Sequence, residues 1–522
     1  MDTARITPAT PVITPVPPAR PPLLASHPEM SGAHVYLFGL LAGLVTGVDF
    51  IAGAMIGIAG SHIRGGVHAS PEEYLWAISG YAAAAVIANL IIGRIAHRIS
   101  YRSYTLASLA LFALGAVACA MSGNIDQLVA ARIVQGLGGG GLFTAARVIV
   151  QLVSQPRERL ALFWGFGIGA NGLMALAPWV SAELVMRDGW NSVFLLQAAI
   201  AAALLPLVYF IYPRRANPPP DRTMGHLDWP AMLAFGFGTL LLLHGLQDLR
   251  YLRPGGVAGL LPWMLAGAAV VLFIAVRLHR HPDPWLDVRR LGSRRYLVGL
   301  AFYGLFYLIN GGWSFLMASF LQEGMGFDFS TTGLLMTLGG GITLAATVVH
   351  TWQFPRVFGK RRVIACGFAV LAIAALWLSH MAMPGASVTV LLPAILLQGS
   401  TFVLIMVQVA SMTYSDFDGA DFAHAYQLKN ILRELAGALG LGITSLLLQD
   451  VKAEARTDLI GRFDHATVAG MLPDPPSPAM LAQWSAEIDR QAALIASDHL
   501  FVGIALLAMA AGAVALTQRA MR

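Results

Sequence analysis

The sequence predicts an all-α membrane protein of about fourteen spans, arranged as two six-helix bundles with two extra central transmembrane helices between them. Three observations predict it. Hydrophobic residues make up 57% of the 522 and charged residues 12%, against about 25% charged residues in soluble domains. With a mean hydropathy of +0.65, there is too little polar surface to cover a water-soluble particle of this size. The hydrophobic residues also come in blocks, many reaching the roughly 18–20 residues that a helix needs to cross a bilayer. Finally, the blocks are continuous. Lipid leaves backbone N–H and C=O groups unsatisfied, so a crossing segment is a helix or a strand of a closed barrel, and barrel strands would be short and alternating.

The elements follow in order. The segment through about Met30 is Pro-rich and poor in apolar residues, and it reads as a disordered cytosolic tail, 1–34. The first block, 35–60, runs too far for the apolar core of a cleaved signal. Blocks 75–93, 104–121, 128–152, 160–184 and 193–212 complete a first bundle, 35–213. Blocks 227–246 and 257–276 read least firmly as full crossings and form a linker insertion, 214–290. Blocks 296–320, 332–352, 363–383, 388–412, 426–448 and 500–516 make a second bundle, 291–522. Its connection 449–498 is expected outside the cytoplasm, and the helical apolar spacing of 478–497 suits a surface helix or a cap over the exit.

Loop charge sets the orientation. Alternate connections carry Arg94, Arg98 and Arg102; Arg157 and Arg159; Arg214, Arg215 and Arg222; Arg277, Arg280, Arg289, Arg290, Arg294 and Arg295; and Arg356, Lys360, Arg361 and Arg362. The opposite connections hold scattered cations such as Arg64, Arg187, Arg250 and Arg253. Lys and Arg accumulate on the cytoplasmic side, so both termini are expected there, in a cytoplasmic (inner) membrane. Asp416, Asp418 and Asp421 precede the thirteenth span on that same side, which weakens the case little because the rule counts cations. The same bias accounts for the net charge of +6 without a nucleic-acid partner. Cys119 and Cys366 lie inside apolar blocks and read as small buried hydrophobes. No phosphate-binding loop appears, the histidines lack metal-ligand spacing, and no nucleophile stands beside a base. An enzyme is not expected, and no cofactor is called for.

Ionisable residues inside spans are costly and mark function. Asp49 lies in the middle of the first block. A carboxylate there can alternate between charged and neutral forms as its surroundings change, which is what proton coupling requires; a structural Asp bonded to a neighbouring helix is the plainer alternative. Arg132 opens Arg132-Ile-Val-Gln135-Gly136, followed by Gly138 to Gly141. Its guanidinium can polarise a carboxylate on a facing helix, and the glycines permit close helix approach. Gly93, Arg94, His97, Arg98 and Arg102 mark a short cationic loop suited to an inter-helix latch, and Pro178 interrupts the fifth block among small residues.

In these residues the chain resembles the fourteen-helix drug:proton antiporters of the EmrB/QacA type, from about Val35 to the last span. Asp49 matches the acid of the family's first-helix motif. Gly93 and Arg98 match its loop motif; Arg132, Gln135 and Gly136 its R-x-x-Q-G motif; and Pro178 its antiporter motif. His226, Leu227 and Asp228 resemble the entry to the seventh helix and Asp248 its far end; Gln322 and Glu323 fit the end of the ninth. Asn430 and Arg433, with Gly437, Gly440 and Gly442, fit the thirteenth. The resemblance implies proton-coupled efflux of hydrophobic or amphiphilic small molecules by alternating access, with Asp49 and Arg132 in coupling. Its Gram-negative members often pair with a periplasmic adaptor and an outer-membrane channel.

Departures stand beside the matches. His97 replaces the loop acid, Ser100 its following glycine, Met174 the leading proline of the antiporter motif, and Arg147 adds a charge to the fourth span. For a substrate pocket the ninth span offers Phe302, Phe306 and Asn310 on one face with Trp313 above, joined by Gln322, Gln398 and Asn171 and by flexible Met317, Met336 and Met406. Lipid-facing and packing positions are the bland alternative for each. Export of one endogenous metabolite, such as an aromatic or fatty acid and with or without proton coupling, is the alternative function.

Overall fold

The computed structural model describes residues 32–153, 159–213, 228–248, 257–280, 286, 288–289, 291–353, 359–413, 417, 419–462 and 477–518. Among these residues the regular structure is helical. The first half comprises α1 (Gly32–Gly66), α2 (Pro71–Ile99), α3 (Tyr101–Ala120), α4 (Ile125–Gly139), α5 (Leu142–Val153), α6 (Arg159–Asp188) and α7 (Asn191–Ile211). The extra pair is α8 (Trp229–Asp248) and α9 (Val257–Arg280). The second half comprises α10 (Arg294–Ser319), α11 (Phe329–Gln353), α12 (Lys360–His380), α13 (Val388–Phe402), α14 (Gln408–Thr413), α15 (Gly419–Gly461) and α16 (Pro478–Thr517). A π-helical turn at Val403–Val407 joins α13 to α14, and another at Phe320–Gly324 ends α10.

Thirteen helical runs among the described residues are long and apolar enough to cross a membrane, with α4 and α5 counted as one, and Trp229–Gly245 adds a shorter apolar helix. The chain is a multi-pass membrane protein of the predicted class. The expected cations Arg157, Arg214, Arg215, Arg222, Arg250, Arg253, Arg290 and Arg356 lie outside the described residues. So do Asp416, Asp418, His226 and Leu227, and the side chains of His97, Arg159 and Asp248.

Helix boundaries have local causes. At α2 the Ser70 side chain accepts the Glu73 N–H while the Glu73 carboxylate accepts the Ser70 N–H, with Pro71 next in line, so the orphan amides of the first turn find acceptors. The stretch 449–498 differs from the expected loop. Helix α15 continues to Gly461, and α16 is one helix from Pro478, capped by Ser477, to Thr517. The apolar spacing of 478–497 thus belongs to the same helix as the last span. Arg456 of α15 pairs with Asp489 of α16 at 2.6 Å, fastening the two extensions together, and Lys452 pairs with Glu323 at the end of α10, also at 2.6 Å.

Each half closes on a glycine-lined crossing. A Cβ on Gly43 of α1 would lie 2.2 Å from the Phe166 carbonyl oxygen of α6, and one on Gly165 would lie 2.4 Å from that of Tyr36. The second half repeats the device between α10 and α15: a Cβ on Gly311 would lie 2.3 Å from the Gly437 oxygen, and one on Gly440 1.9 Å from that of Leu308. The halves meet along two seams. On one, α6 runs against α11, with the Asn171 amide donating to Thr347 Oγ1 at 3.2 Å and Gly333 packed on Pro178 further along. On the other, α2 meets α15, and α8 covers the join with Met232 and Phe235 packed among Val86, Leu90 and Ile431.

Candidate functional site

Asp49 is buried halfway along α1, 5% exposed. Tyr81 of α2 donates its hydroxyl to one carboxylate oxygen at 2.7 Å, and Arg433 of α15 donates to the other at 2.5 Å. The Arg433 guanidinium also bonds the Glu434 carboxylate and lies over the rings of Phe50, at 4.7 Å, and Phe143, at 5.2 Å. One cation of the second half therefore joins an acid of the first half to the acid beside it. Charges this deeply buried are tolerable only when paired, because desolvation costs several kcal/mol per ion.

The glycine run of the fourth span places Tyr81. A Cβ on Gly136 would lie 2.6 Å from the Tyr81 backbone oxygen, and one on Gly139 2.5 Å from its hydroxyl, so only glycine lets α4 approach this part of α2 so closely. Arg132 lies 4.1 Å over the same Tyr81 ring and donates to Gln135 at 2.7 Å; Gln135 in turn donates to Gln197 of α7 at 2.8 Å. Arg132 thus reaches Asp49 through Tyr81, rather than facing the carboxylate directly.

Toward the end that carries the basic loops, the seam is sealed by polar contacts. Asn430 of α15 donates to Thr144 Oγ1 of α5 at 2.7 Å and to Asn89 Oδ1 of α2 at 3.3 Å, while Asn89 donates to the Gly140 carbonyl at 2.7 Å. Arg147 of α5 donates to the Tyr426 hydroxyl at 2.7 Å, and Lys429 donates to the same oxygen at 3.3 Å. A Cβ on Gly93 would come within 2.8 Å of Gln427 Nε2. Residues 426, 430 and 433 recur at helical spacing, so one face of α15 supplies the whole seam.

Toward the opposite end the seam parts. Gly53 and Gly57 continue the Asp49 face of α1, and Gly437 continues the Arg433 face of α15; a Cβ on any of the three would meet no atom within 4 Å. Asp49 and Arg433 are therefore the floor of a cleft that opens away from the basic loops.

Other predicted residues fall elsewhere. Phe302, Phe306 and Trp313 are buried in the core of the second half, where Phe302 neighbours Phe368, Phe306 neighbours Phe402, and Trp313 neighbours Phe501. These three residues of α10 pack into their own bundle here, and Met317 and Met406 are buried with them. Asn310, Gln322 and Gln398 are half-buried; the Asn310 and Gln398 backbone carbonyls accept the hydroxyls of Ser314 and Thr401. Asn171 ties α6 to α11, Pro178 is buried against Gly333, Gly93 faces Gln427, and Arg98 is exposed at the end of α2. Tyr81, Lys429, Glu434 and Tyr426 were not expected. Lys429 and Glu434 flank Arg433 inside an apolar span, and an intramembrane charge is itself the signal that finds them.

The Major Facilitator Superfamily model matches residues 42–441. The chain belongs to this superfamily. EmrY of Escherichia coli strain K12, a multidrug resistance protein by name, is 24% identical over 410 residues, covering 77% of this chain and 78% of its own. MdtD of Salmonella typhimurium, likewise named for multidrug resistance, is 25% identical over 393 residues, covering 73% and 79%. These relatives agree with the resemblance read in the sequence. Among solved structures, the POT family transporter PepTSo superposes with a TM-score of 0.60 at 14% identity, covering 94% of this chain and 98% of that one. The proton:xylose symporter XylE gives 0.53 at 15%, covering 89% and 94%. The structural likeness carries the fold alone. Family and relatives make this chain a transporter, not an enzyme.

Proposed function

We propose that this transporter exports hydrophobic or amphiphilic small molecules across the cytoplasmic membrane in exchange for protons, by alternating access between its two halves. The observation that carries the reading is the Asp49–Arg433 pair, which ties the halves together at the floor of a cleft open on one side only. With the basic loops taken as cytoplasmic, the cleft faces outward. A proton arriving through it neutralises Asp49, Arg433 loses one of its two acids, and the seam from Asn430 to Tyr426 is free to part. The cleft then opens inward, where the proton leaves and substrate enters. Re-forming the pair closes the inner seam behind the substrate. Arg132 and Gln135 hold the Tyr81 ring, and thereby its hydroxyl, against Asp49. Gly93, His97 and Arg98 belong to the inner latch, and Pro178 and Asn171 to the seam that α6 shares with α11. A periplasmic adaptor and an outer-membrane channel remain part of the proposal, with the joined ends of α15 and α16 as the surface they would meet.

The test uses inverted vesicles with an acidified interior. Adding a transported amphiphile is expected to alkalinise the interior as substrate accumulates. Asp49→Asn, whose fold is checked by size exclusion, is expected to abolish the proton signal. A variant that accumulates substrate with an undiminished proton signal would overturn coupling through Asp49.

A further inference from the structure

Arg433 is shared by two buried acids that lie on different halves. Asp49 belongs to α1 in the first half, whereas Glu434 is the residue next to Arg433 on α15 in the second. Both acids bond the same terminal nitrogen of the guanidinium, Nη2. Arg433 Nε is buried with no hydrogen-bond partner, and Glu434 bonds through Oε1, leaving Oε2 unused. The Asp49 side chain is 2% exposed and that of Glu434 15%, so Glu434 is the less buried acid.

Resting on the exchange reading above, we infer that Glu434 is the counter-ion that Arg433 keeps when it leaves Asp49, and that it thereby sets how much acid is needed to part the halves. A buried cation stripped of its acid is strongly disfavoured. Because Glu434 travels on the same helix as Arg433, parting leaves a protonated, neutral Asp49 on one side and a complete ion pair on the other. The unused positions fit this exchange. Once Asp49 lets go of Nη2, the two Glu434 oxygens can take Nε–H and Nη2–H side by side, the forked arrangement that is strong for this kind of pair. The proton bonds to Asp49, and Arg433 and Glu434 stay charged throughout. Glu434 therefore acts through Arg433, as a positioning residue. With glutamine at 434 the guanidinium depends on Asp49 alone, so the pair is harder to break and more acid is needed. Removing a negative charge beside Asp49 acts in the same direction.

Other ionisable groups face this cluster. Tyr81 of α2 bonds Asp49, with Arg132 of α4 over its ring. Tyr303 and Tyr307 of α10 lie within electrostatic reach of Arg433, as does Lys429, one turn along α15 beside Tyr426 and Arg147 of α5. Helices α6 and α7 carry ionisable residues only near their ends, α8 brings His244 against Trp76 and Asp228 paired with Arg277, and those of α16 fall before Leu500. All are common to the parent protein and Glu434→Gln, so comparing the two isolates Glu434.

The experiment reads the parting of the inner seam directly, on the purified full-length protein without substrate or gradient. Thr144, 1% exposed in the closed seam, is replaced by Cys, with Cys366→Ser and Cys119→Ala to remove the other thiols. The rate of reaction with N-ethylmaleimide is followed between pH 5 and 8 and normalised at each pH to the unfolded protein. In this parent the rate is expected to rise as pH falls, and Asp49→Asn should make it fast at every pH. Glu434→Gln is expected to move the midpoint at least one pH unit toward acid, a tenfold change in proton activity. Glu434→Asp, which keeps the charge, should return the midpoint most of the way to the parent value. A pH-dependent parent with an unmoved midpoint in Glu434→Gln, a midpoint moved toward alkali, or a rate lowered equally at every pH would each overturn the role of Glu434 alone. A parent rate indifferent to pH would overturn coupling through Asp49 as well, so the two readings fail distinguishably.

Discussion

Both oxygens of the Asp49 carboxylate are committed, one to the neutral Tyr81 hydroxyl and one to the Arg433 cation, and Arg433 is committed to two acids. Removing one member of such a cluster should cost more than removing a matched pair, because the cost lies in the charge left behind. Arg433→Ala is expected to destabilise the protein by about 3–5 kcal/mol, the usual penalty for breaking a buried ion pair. Adding Asp49→Asn to that variant should recover part of the loss, and thermal unfolding in detergent reads the cycle. A double variant less stable than Arg433→Ala alone would mean that the Asp49 charge left behind is not the source of the cost. The candidate site was half legible. Asp49, Asn430 and Arg433 stood out by motif, but their meeting joins positions 384 residues apart, which no local pattern encodes. Lys429 and Glu434 were legible in principle as charges in an apolar span. For Phe302, Phe306 and Trp313 spacing alone does not say which side they face, because an aromatic stripe fits a bundle core as readily as a pocket.

Among helices, glycine has two opposite uses here. Gly440 lies where a Cβ would come within 1.9 Å of the Leu308 carbonyl oxygen, whereas Gly53 faces open space. Alanine in a helix interior is ordinarily favoured over glycine by about 1 kcal/mol. Gly53→Ala should therefore leave the melting temperature unchanged or raise it slightly. Gly440→Ala should lower stability by about 1–3 kcal/mol as α10 and α15 are forced apart. Equal effects of the two would mean that the α10–α15 crossing is looser than its geometry indicates. The spans themselves were legible because hydropathy adds up along the chain and bilayer thickness fixes the length required. Two features were not. The break between α4 and α5 falls inside one apolar block, and α15 and α16 carry helix well past their apolar stretches. Outside the bilayer a helix needs no hydrophobic signature, only caps and partners such as Ser477 and the Arg456–Asp489 pair.

For the molecule as a whole, the unequal seams suggest how the halves move. Helices α6 and α11 stay in contact from Asn171–Thr347 to Pro178–Gly333, while the seam of α1, α2 and α5 with α15 is closed from Asp49 to Tyr426 and open beyond Gly53 and Gly437. A rocking motion about the continuous seam would open the closed end of the other, and its first ties to break would be Asn430–Thr144 and Arg147–Tyr426. Fixing that end shut should therefore stop transport in one state. Thr144→Cys with Asn430→Cys, joined by a short reducible thiol cross-linker, does this where the native side chains are 2.7 Å apart. The exposed Cys366 would be replaced by Ser, and Cys119 is buried. Cross-linking is expected to reduce transport to background, and reductant should restore it to the level of the untreated double variant. Full transport by the cross-linked protein would mean that the halves need not part at Asn430, and the rocking axis along α6 and α11 would have to be abandoned.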